Sequence, residues 1–336
     1  MINSFSRLNR YGSFFLFSFL IGWMPALQAK PVKVLASIKP IQLIAVDMLG
    51  DLADVGVLLP PGSSPHHYSL KPSSVSDIHE ADLFIWGGED LELFLTKTVS
   101  QLERPALALL EPSEHDEHAK EHEHEDGDEH DDDHDLMAEH EHEDSHDDAQ
   151  EHEGEHADEH EHHHDGDPHF WMTPELALEA ADKIKDRLAV LYPQKAELFE
   201  QAYQDFATRL NETDQQLQQQ LKSVGGEGFY VFHDAFGGFV EHYQLNQLGY
   251  FTVDPGRKPG ARRLAEIREA LETNKGRCVF VEPQFKAPVV DSLTRGLDIH
   301  VGRLDPLAID IEVQRGGYLN YLHSLADSFT NCLSEE

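Results

Sequence analysis

The sequence is poor in basic residues and has no nucleotide-binding motif, and both features exclude classes of protein. Only 26 of its 336 residues are Lys or Arg, against 63 Asp or Glu, which gives a formal charge of −37. The phosphates of nucleic acid would repel such a surface, so a nucleic-acid-binding function is excluded. The pattern G-x-x-x-x-G-K-[ST] is also missing. Any ATP hydrolysis linked to this protein therefore takes place on another chain.

Long apolar runs are missing as well. The run at residues 14–24 is shorter than the roughly 20 residues that span a bilayer. It follows Arg7 and Arg10 and precedes Ala26 and Ala29, an order typical of a secretory signal. We expect a signal peptide at residues 1–29. No cysteine stands directly after it, at the predicted mature N-terminus, to carry a lipid anchor. The prediction is a soluble periplasmic protein.

Cysteine is scarce, since Cys278 and Cys332 are the only two. In an oxidising compartment an even pair predicts a disulfide, here between the C-terminal helix and a strand. A metal site is the alternative, although two isolated cysteines lack the close spacing of thiolate ligands.

Short apolar runs alternate with amphipathic stretches from Val32 onward, which is typical of β-α units. The predicted fold class is α/β, with two α/β domains, each with a mostly parallel sheet of about four strands, joined by one long rigid helix. The predicted strands are residues 34–38, 55–59, 83–86, 106–110, 229–232, 249–253, 279–281 and 299–302. The clearest predicted helices are residues 40–49, 73–80, 89–102, 262–273, 288–295 and 318–331.

The domain organisation follows from this alternation and from shifts in composition. Residues 194–222 contain no Gly or Pro and predict a continuous helix of about 40 Å, long enough to connect two domains. A ligand is then expected in the crevice between the domains, at the carboxyl ends of the strands. The predicted segments are a signal peptide (1–29), an N-terminal α/β domain (30–113), a His/Asp/Glu-rich insert (114–167), a return helix (168–192), a linker helix (193–224) and a C-terminal α/β domain (225–336).

The insert holds 15 of the 23 histidines, together with 27 acidic residues and one lysine. Such a composition cannot form a packed core, so we expect disorder without metal. Imidazoles and carboxylates bind zinc and related ions, which favours a metal-gathering role over a solvated acidic linker. The zinc-protease pattern H-E-x-x-H occurs three times here, but a tract built from His, Glu and Asp produces it by chance.

Three other histidines each end a predicted strand or begin the loop after it. His66 lies in a Pro- and Gly-rich turn, His169 follows the insert, and His233 follows an aromatic run. Asp305 also comes directly after a strand. Three imidazoles with one carboxylate or water form a four-coordinate site that favours zinc over manganese or magnesium, although copper or nickel would bind too. His67 lies beside His66 in the same turn. The other four histidines, His79, His242, His300 and His323, lie inside predicted helices or a strand, where a structural or surface role is expected.

With these residues in place, the chain resembles the metal-binding receptors of ABC transporters, specifically the high-affinity zinc-uptake (ZnuA-like) type. The resemblance is carried by residues 60–72 (PPGSSPHHYSLKP), 169–171 (HFW), 231–236 (VFHDAF), 281–285 (VEPQF) and 304–307 (LDPL). It implies a two-domain, helix-linked fold, a disulfide between Cys278 and Cys332, and zinc ligation by His66, His169 and His233.

The resemblance leaves the fourth ligand open. Some zinc receptors carry a Glu immediately before the first histidine, where this chain has Pro65. Asp305, His67 and water are the alternatives, and Asp305 is favoured because its counterpart binds metal in manganese receptors.

The predicted function is capture of zinc as cargo in the periplasm and delivery to a membrane permease with a separate ATPase subunit, by a monomer with no enzymatic activity. Two alternatives differ in class. A zinc-dependent hydrolase would use the same three histidines, but no general base is identified beside them. A periplasmic metal buffer or adhesin would never engage a permease.

Overall fold

The computed structural model describes residues 31–111, 167–252, 260–273, 276–283 and 287–334. The predicted signal peptide and the predicted insert, apart from Asp167, lie outside the described residues, as does Val253 at the end of a predicted strand. Among the helices of the described ranges, none combines the length and the apolar character needed to cross a membrane.

The first sheet has four strands, and every pairing in it is parallel. Its order is β2-β1-β3-β4, with β1 and β3 in the centre. The strands are β1 (Val32–Ala36), β2 (Ala53–Val57), β3 (Leu83–Trp86) and β4 (Ala106–Ala108). The helices of this half are α1 (Lys39–Leu49), α2 (Pro72–Glu80) and α3 (Thr96–Ser100).

The second sheet repeats this topology with the order β6-β5-β7-β8, again with parallel pairing throughout. Its strands are β5 (Gly228–His233), β6 (Asn246–Thr252), β7 (Cys278–Val281) and β8 (His300–Arg303). The helices of the rest of the chain are α4 (Pro174–Leu191), α5 (Ala196–Leu221), α6 (Gly237–His242), α7 (Ala261–Thr273), α8 (Ala287–Thr294) and α9 (Gly317–Ser334). The predicted fold class, two α/β domains connected by a long helix, is confirmed.

One predicted helix is much shorter than expected. Residues 89–102 contain only α3, preceded by a 3₁₀ turn at Leu93–Leu95. The reason is the buried side chain of Glu92, whose Oε2 accepts the N–H of Gly87 at 2.7 Å and so closes residues 87–92 into a loop. This local hydrogen bond competes with helix formation in the first part of the predicted segment.

The long helix α5 holds both halves of the chain in one unit. It has 26 residues and is about 39 Å long at 1.5 Å per residue. Its buried residues Phe199, Phe206, Leu210, Leu217 and Leu221 recur at helical spacing and join a core cluster with residues of both sheets. The described residues from Val32 onward accordingly form a single compact unit.

A buried carboxylate connects α1 to the helices of the second half. Asp47 is fully buried and accepts the backbone N–H groups of Gly316 at 3.0 Å and Tyr318 at 3.1 Å, at the start of α9. Arg209 of α5 donates to the same carboxylate and, at 2.9 Å, to the carbonyl of Asp47. A carboxylate at a helix N-terminus is favourable, and here it connects three helices.

The predicted disulfide is present. Cys278 at the start of β7 is bonded to Cys332 in α9, with a Cα–Cα distance of 6.1 Å. The bond attaches the C-terminal helix to the second sheet, as the sequence predicted.

Candidate metal centre

Three of the four predicted ligands meet at one point. The ring nitrogens of His66, His169 and His233 include one atom from each residue that all lie within 4.8 Å of one another. His169 and His233 are buried, with 5% and 3% of their surface exposed, and His66 is half-buried. Their ring centroids are 5.0 to 5.7 Å apart. Among the described residues, this is the one group of three or more such side chains with that spacing.

A tight turn brings His66 to this point after β2. Ser63 donates its N–H to the carbonyl of Pro60 at 3.1 Å, which closes a turn with Pro61 and Gly62 in its centre. Gly62 has φ of 78°, a conformation that glycine adopts without strain, and proline suits the preceding position. The N–H of His66 is then bonded to Ser64 Oγ at 3.3 Å.

His169 is oriented by a carboxylate two residues before it. Asp167 Oδ1 accepts both the backbone N–H of His169 and its ring Nδ1–H, each at 2.9 Å. Because Nδ1 donates to the carboxylate, Nε2 retains the lone pair that a metal requires. Burial acts to raise the pKa of Asp167, but its hydrogen bonds and attraction to His169 outweigh burial and hold that pKa below its usual value.

The same carboxylate reaches the second half of the chain. Asp167 Oδ2 accepts the N–H of Gly238 at 3.4 Å, in the segment after His233. A side chain at Gly238 would collide with Thr173 Oγ1, only 2.3 Å from an ideal Cβ, so the close approach requires glycine. Asp167 therefore orients one histidine and connects its loop to the segment that follows another.

The aromatic residues after His169 anchor its loop in the core. Trp171 is fully buried, lies 5.4 Å from the His169 ring and donates its indole N–H to the carbonyl of Pro306 at 2.8 Å. Tyr318 of α9 donates to the carbonyl of Trp171 at 2.8 Å. The HFW and LDPL segments are thus direct neighbours, connected by the hydrogen bond between Trp171 and Pro306.

His233 is the last residue of β5, and Glu282 lies beside it. Glu282 follows β7, is 3% exposed, and has its Oε1 3.5 Å from His233 Nδ1. Asp234 is nearby, and its pKa is raised by burial and by the charge of Asp167, with the two histidines His233 and His169 opposing the shift. The cluster therefore lies in an acidic surrounding suited to a cation.

Asp305 is not brought into the cluster. Its carboxylate accepts the backbone N–H groups of Leu307 at 3.0 Å and Ile309 at 2.6 Å, so it stabilises its own turn. Burial raises the pKa of Asp305, and these two hydrogen bonds oppose the increase. His67, the other protein candidate for fourth ligand, is exposed. Neither residue belongs to the group of ligand atoms around His66, His169 and His233.

Two acidic neighbours of the histidines were missed by the sequence analysis. Asp167 falls within the predicted insert, and Glu282 lies in the VEPQF motif, for which the sequence predicts no role. The available signal was position: Asp167 stands two residues before a candidate ligand, and Glu282 follows a strand. The four histidines expected to be structural lie in α2 (His79), α6 (His242), β8 (His300) and α9 (His323).

The arrangement offers three imidazole nitrogens, one from each histidine, to a divalent ion. In a four-coordinate zinc site the Zn–N bonds of about 2.0–2.1 Å place ligand atoms roughly 3.4 Å apart, so a small contraction of the cluster would complete it. The donor set, nitrogen-rich and buried, fits zinc.

Comparison with known proteins identifies similar chains over nearly the whole length. Residues 34–332 match the family described as zinc-uptake complex component A, periplasmic. The high-affinity zinc uptake system protein ZnuA of Haemophilus influenzae is 45% identical over 316 residues, covering 90% of this chain and 93% of that protein. The protein of the same name from Yersinia pestis is 37% identical over 308 residues, covering 89% and 91%.

Solved structures share the fold. A crystal structure of ZnuA matches with a TM-score of 0.67 at 23% identity and covers 90% of this chain and all of that one. A zinc-bound ZnuA with residues 138–173 of its own sequence deleted matches with a TM-score of 0.66, also at 23% identity, and covers 91% and 99%.

Proposed function

Because the chain belongs to the periplasmic zinc-uptake complex component A family, we propose that it holds one zinc ion between His66, His169 and His233 and delivers that ion to a membrane permease. Members of this family are zinc-binding receptors of ABC-type zinc uptake and not enzymes. The predicted receptor function and the prediction that the protein is not an enzyme are therefore confirmed.

One observation supports these three ligands above all. They come from separate segments, the loop after β2, the segment before α4 and the end of β5, and yet their ligand atoms lie within 4.8 Å of one another. Two of them are almost fully buried, and burial of a histidine cluster with no role would be costly. Water is the fourth ligand that this arrangement supports best, because Asp305 is engaged in its own turn.

The zinc site is tested by competitive titration against a chelator of known affinity. The protein lacking its signal peptide is expected to have one tight site, and the His66→Ala, His169→Ala, His233→Ala triple variant none. A second protein lacking residues 115–164 is expected to keep the tight site, because the insert is proposed to gather zinc through weak, exchangeable sites. If the deletion removed tight binding, the insert would hold the primary site and the proposal would fail.

Delivery to a permease is tested in cells. A strain without this protein is expected to grow poorly only under zinc limitation, and the triple variant is expected not to restore growth. We also propose that the protein is a soluble periplasmic monomer after removal of residues 1–29. Mass spectrometry of the exported protein checks the new N-terminus, and light scattering checks the oligomeric state.

A further inference from the structure

The parallel register of the second sheet brings an acidic residue to the proposed zinc site. Strand β5 pairs with β7 so that Phe229 is opposite Cys278 and Val231 is opposite Phe280. His233 comes two residues after Val231, and Glu282 comes two residues after Phe280, so the same register places them opposite each other. Residues in register on neighbouring strands point to the same face, which accounts for the short distance between these two side chains.

The pair is buried, and three of its four side-chain polar atoms have no hydrogen-bond partner among the described residues. His233 and Glu282 are each 3% exposed. Within the described part of the chain, neither ring nitrogen of His233 nor Oε1 of Glu282 has a hydrogen-bond partner, and Nδ1 and Oε1 are 3.5 Å apart. Buried polar groups are almost always paired, so an unpaired set at a proposed binding site indicates that a ligand completes it.

From this proposed function, we infer that Glu282 is a positioning residue for zinc binding: its carboxylate accepts the Nδ1–H of His233 and so directs Nε2 at the ion. Direct ligation by Glu282 is not supported, because it is outside the group of atoms that lie within 4.8 Å of one another. The neighbouring pair gives the pattern, since Asp167 already holds Nδ1 of His169 at 2.9 Å. Metal-binding histidines commonly donate their second nitrogen to a carboxylate in this way.

The charge balance of the site supports the same role. Three neutral imidazoles leave the two positive charges of zinc uncompensated in a buried place. A carboxylate behind His169 and a second behind His233 would provide two negative charges next to the first coordination sphere. Such compensation lowers the cost of burying the cation without occupying a coordination position.

The test uses the protein without its signal peptide but otherwise complete. Zinc affinity is measured by chelator competition for Glu282→Ala, Glu282→Gln and the matched control Glu92→Gln. Glu92 is also fully buried, has one unpaired carboxylate oxygen, and contacts Ser37 and Gly87 instead of a histidine. We expect a loss of about 10- to 100-fold for Glu282→Ala, a smaller loss for Glu282→Gln, whose amide oxygen can still accept, and no change for the control.

A second readout separates positioning from general destabilisation. In the zinc-loaded protein, NMR should show a slowly exchanging Nδ1–H of His233, assigned by its absence in a His233→Gln variant. That signal should persist in Glu282→Gln and Glu92→Gln and disappear in Glu282→Ala. If Glu282→Ala does not fold, as judged by circular dichroism, the reduced affinity and the retained signal of Glu282→Gln carry the test.

Two results would overturn the inference: wild-type affinity with a protected Nδ1–H in Glu282→Ala, or an equal loss of affinity in Glu92→Gln. The triple histidine variant distinguishes this failure from failure of the proposed function. If the triple variant still bound zinc tightly, the site itself would be wrong. If it lost zinc while the Glu282 variants did not, the role of Glu282 alone would be wrong.

Discussion

Strand β1 of the first sheet and strand β5 of the second each end at a pair of buried residues, and the two pairs differ in their hydrogen bonding. After β1 in the first sheet, Ser37 donates its hydroxyl to Glu92 Oε2 at 3.0 Å, and Gly87 donates to the same oxygen. At the end of β5 in the second sheet, His233 lies 3.5 Å from Glu282 without a hydrogen bond among the described residues. Since β1 and β5 occupy the same place in their strand orders, the two pairs are directly comparable.

The difference shows how one topology serves two purposes. In the first sheet, Ser37 and Glu92 are hydrogen-bonded to each other, and the pair has a structural role, because Oε2 of Glu92 also accepts from Gly87 and closes the loop after β3. In the pair of the second sheet, both ring nitrogens of His233 lack a hydrogen-bond partner among the described residues. The first sheet contributes its own histidine, His66, from a loop beyond β2, while the second contributes His233 from the strand itself.

The largest expected effect comes from removing the histidine of the His233–Glu282 pair. His233→Ala should lower zinc affinity by more than about 100-fold. Loss of a group that hydrogen-bonds to a metal ligand already lowers affinity by about 10- to 100-fold, and this change removes the ligand itself. Ser37→Ala at the equivalent strand end should leave affinity unchanged. Chelator competition measures both, and a His233→Ala affinity within tenfold of wild type would contradict the comparison.

The second prediction concerns the covalent support of the second sheet. Cys278→Ser with Cys332→Ser should lower the free energy of unfolding by about 4 kcal/mol, because the disulfide closes a loop across a sequence separation of 54. Urea denaturation checks the value. Zinc affinity should change little, since neither cysteine belongs to the histidine cluster. A stability loss below about 1 kcal/mol would show that packing of α9 alone holds β7 in place.

The third prediction concerns the pH dependence of stability that Glu92 of the Ser37–Glu92 pair produces. Burial raises the pKa of Glu92 to about 7 from its ordinary value of 4.5, against the opposing hydrogen bonds from Ser37 and Gly87. The folded protein therefore keeps a proton that the unfolded chain releases, so this contribution to stability is complete below pH 4.5 and is lost as the pH rises through 7.

Glu92→Gln should remove that dependence, since the amide is neutral at every pH and its oxygen can still accept. The variant should match wild type near pH 4.5 and be more stable by ~3 kcal/mol at pH 8. Urea denaturation at both pH values measures the difference between the two proteins. An equal difference at the two pH values would show that Glu92 does not titrate in this range.

The smallest expected effect comes from the hydrogen bond between Ser37 and Glu92. Ser37→Ala should lower the free energy of unfolding by about 1 kcal/mol, the usual net value of a buried hydrogen bond. Ser76→Ala is the control, because Ser76 donates to the carbonyl of Pro72 on an exposed helix surface. Denaturation that gave equal values for the two variants would mean that the Ser37 bond contributes nothing beyond an exposed one.

The sequence predicts the three histidines at strand ends, because parallel strands end at a common edge. His66 follows β2 and His233 ends β5, whereas His169 lies in the segment before α4. His66, His169 and His233 meet there. Asp305 has the same sequence signal, since it follows β8, and yet it does not join them. Its carboxylate is taken by Leu307 and Ile309, and a preference for nearby backbone N–H groups is common for Asp in turns.

The sequence by itself determined the alternation of strands and helices, the long α5, the cysteine pair and the three histidines, because periodicity and composition are local properties. Tertiary structure decided which acids accompany the histidines. Asp167 is two residues from His169, but Glu282 meets His233 only through the pairing of β5 with β7 across nearly fifty residues of chain. Such a contact depends on strand order and register, which the packing of the whole core fixes.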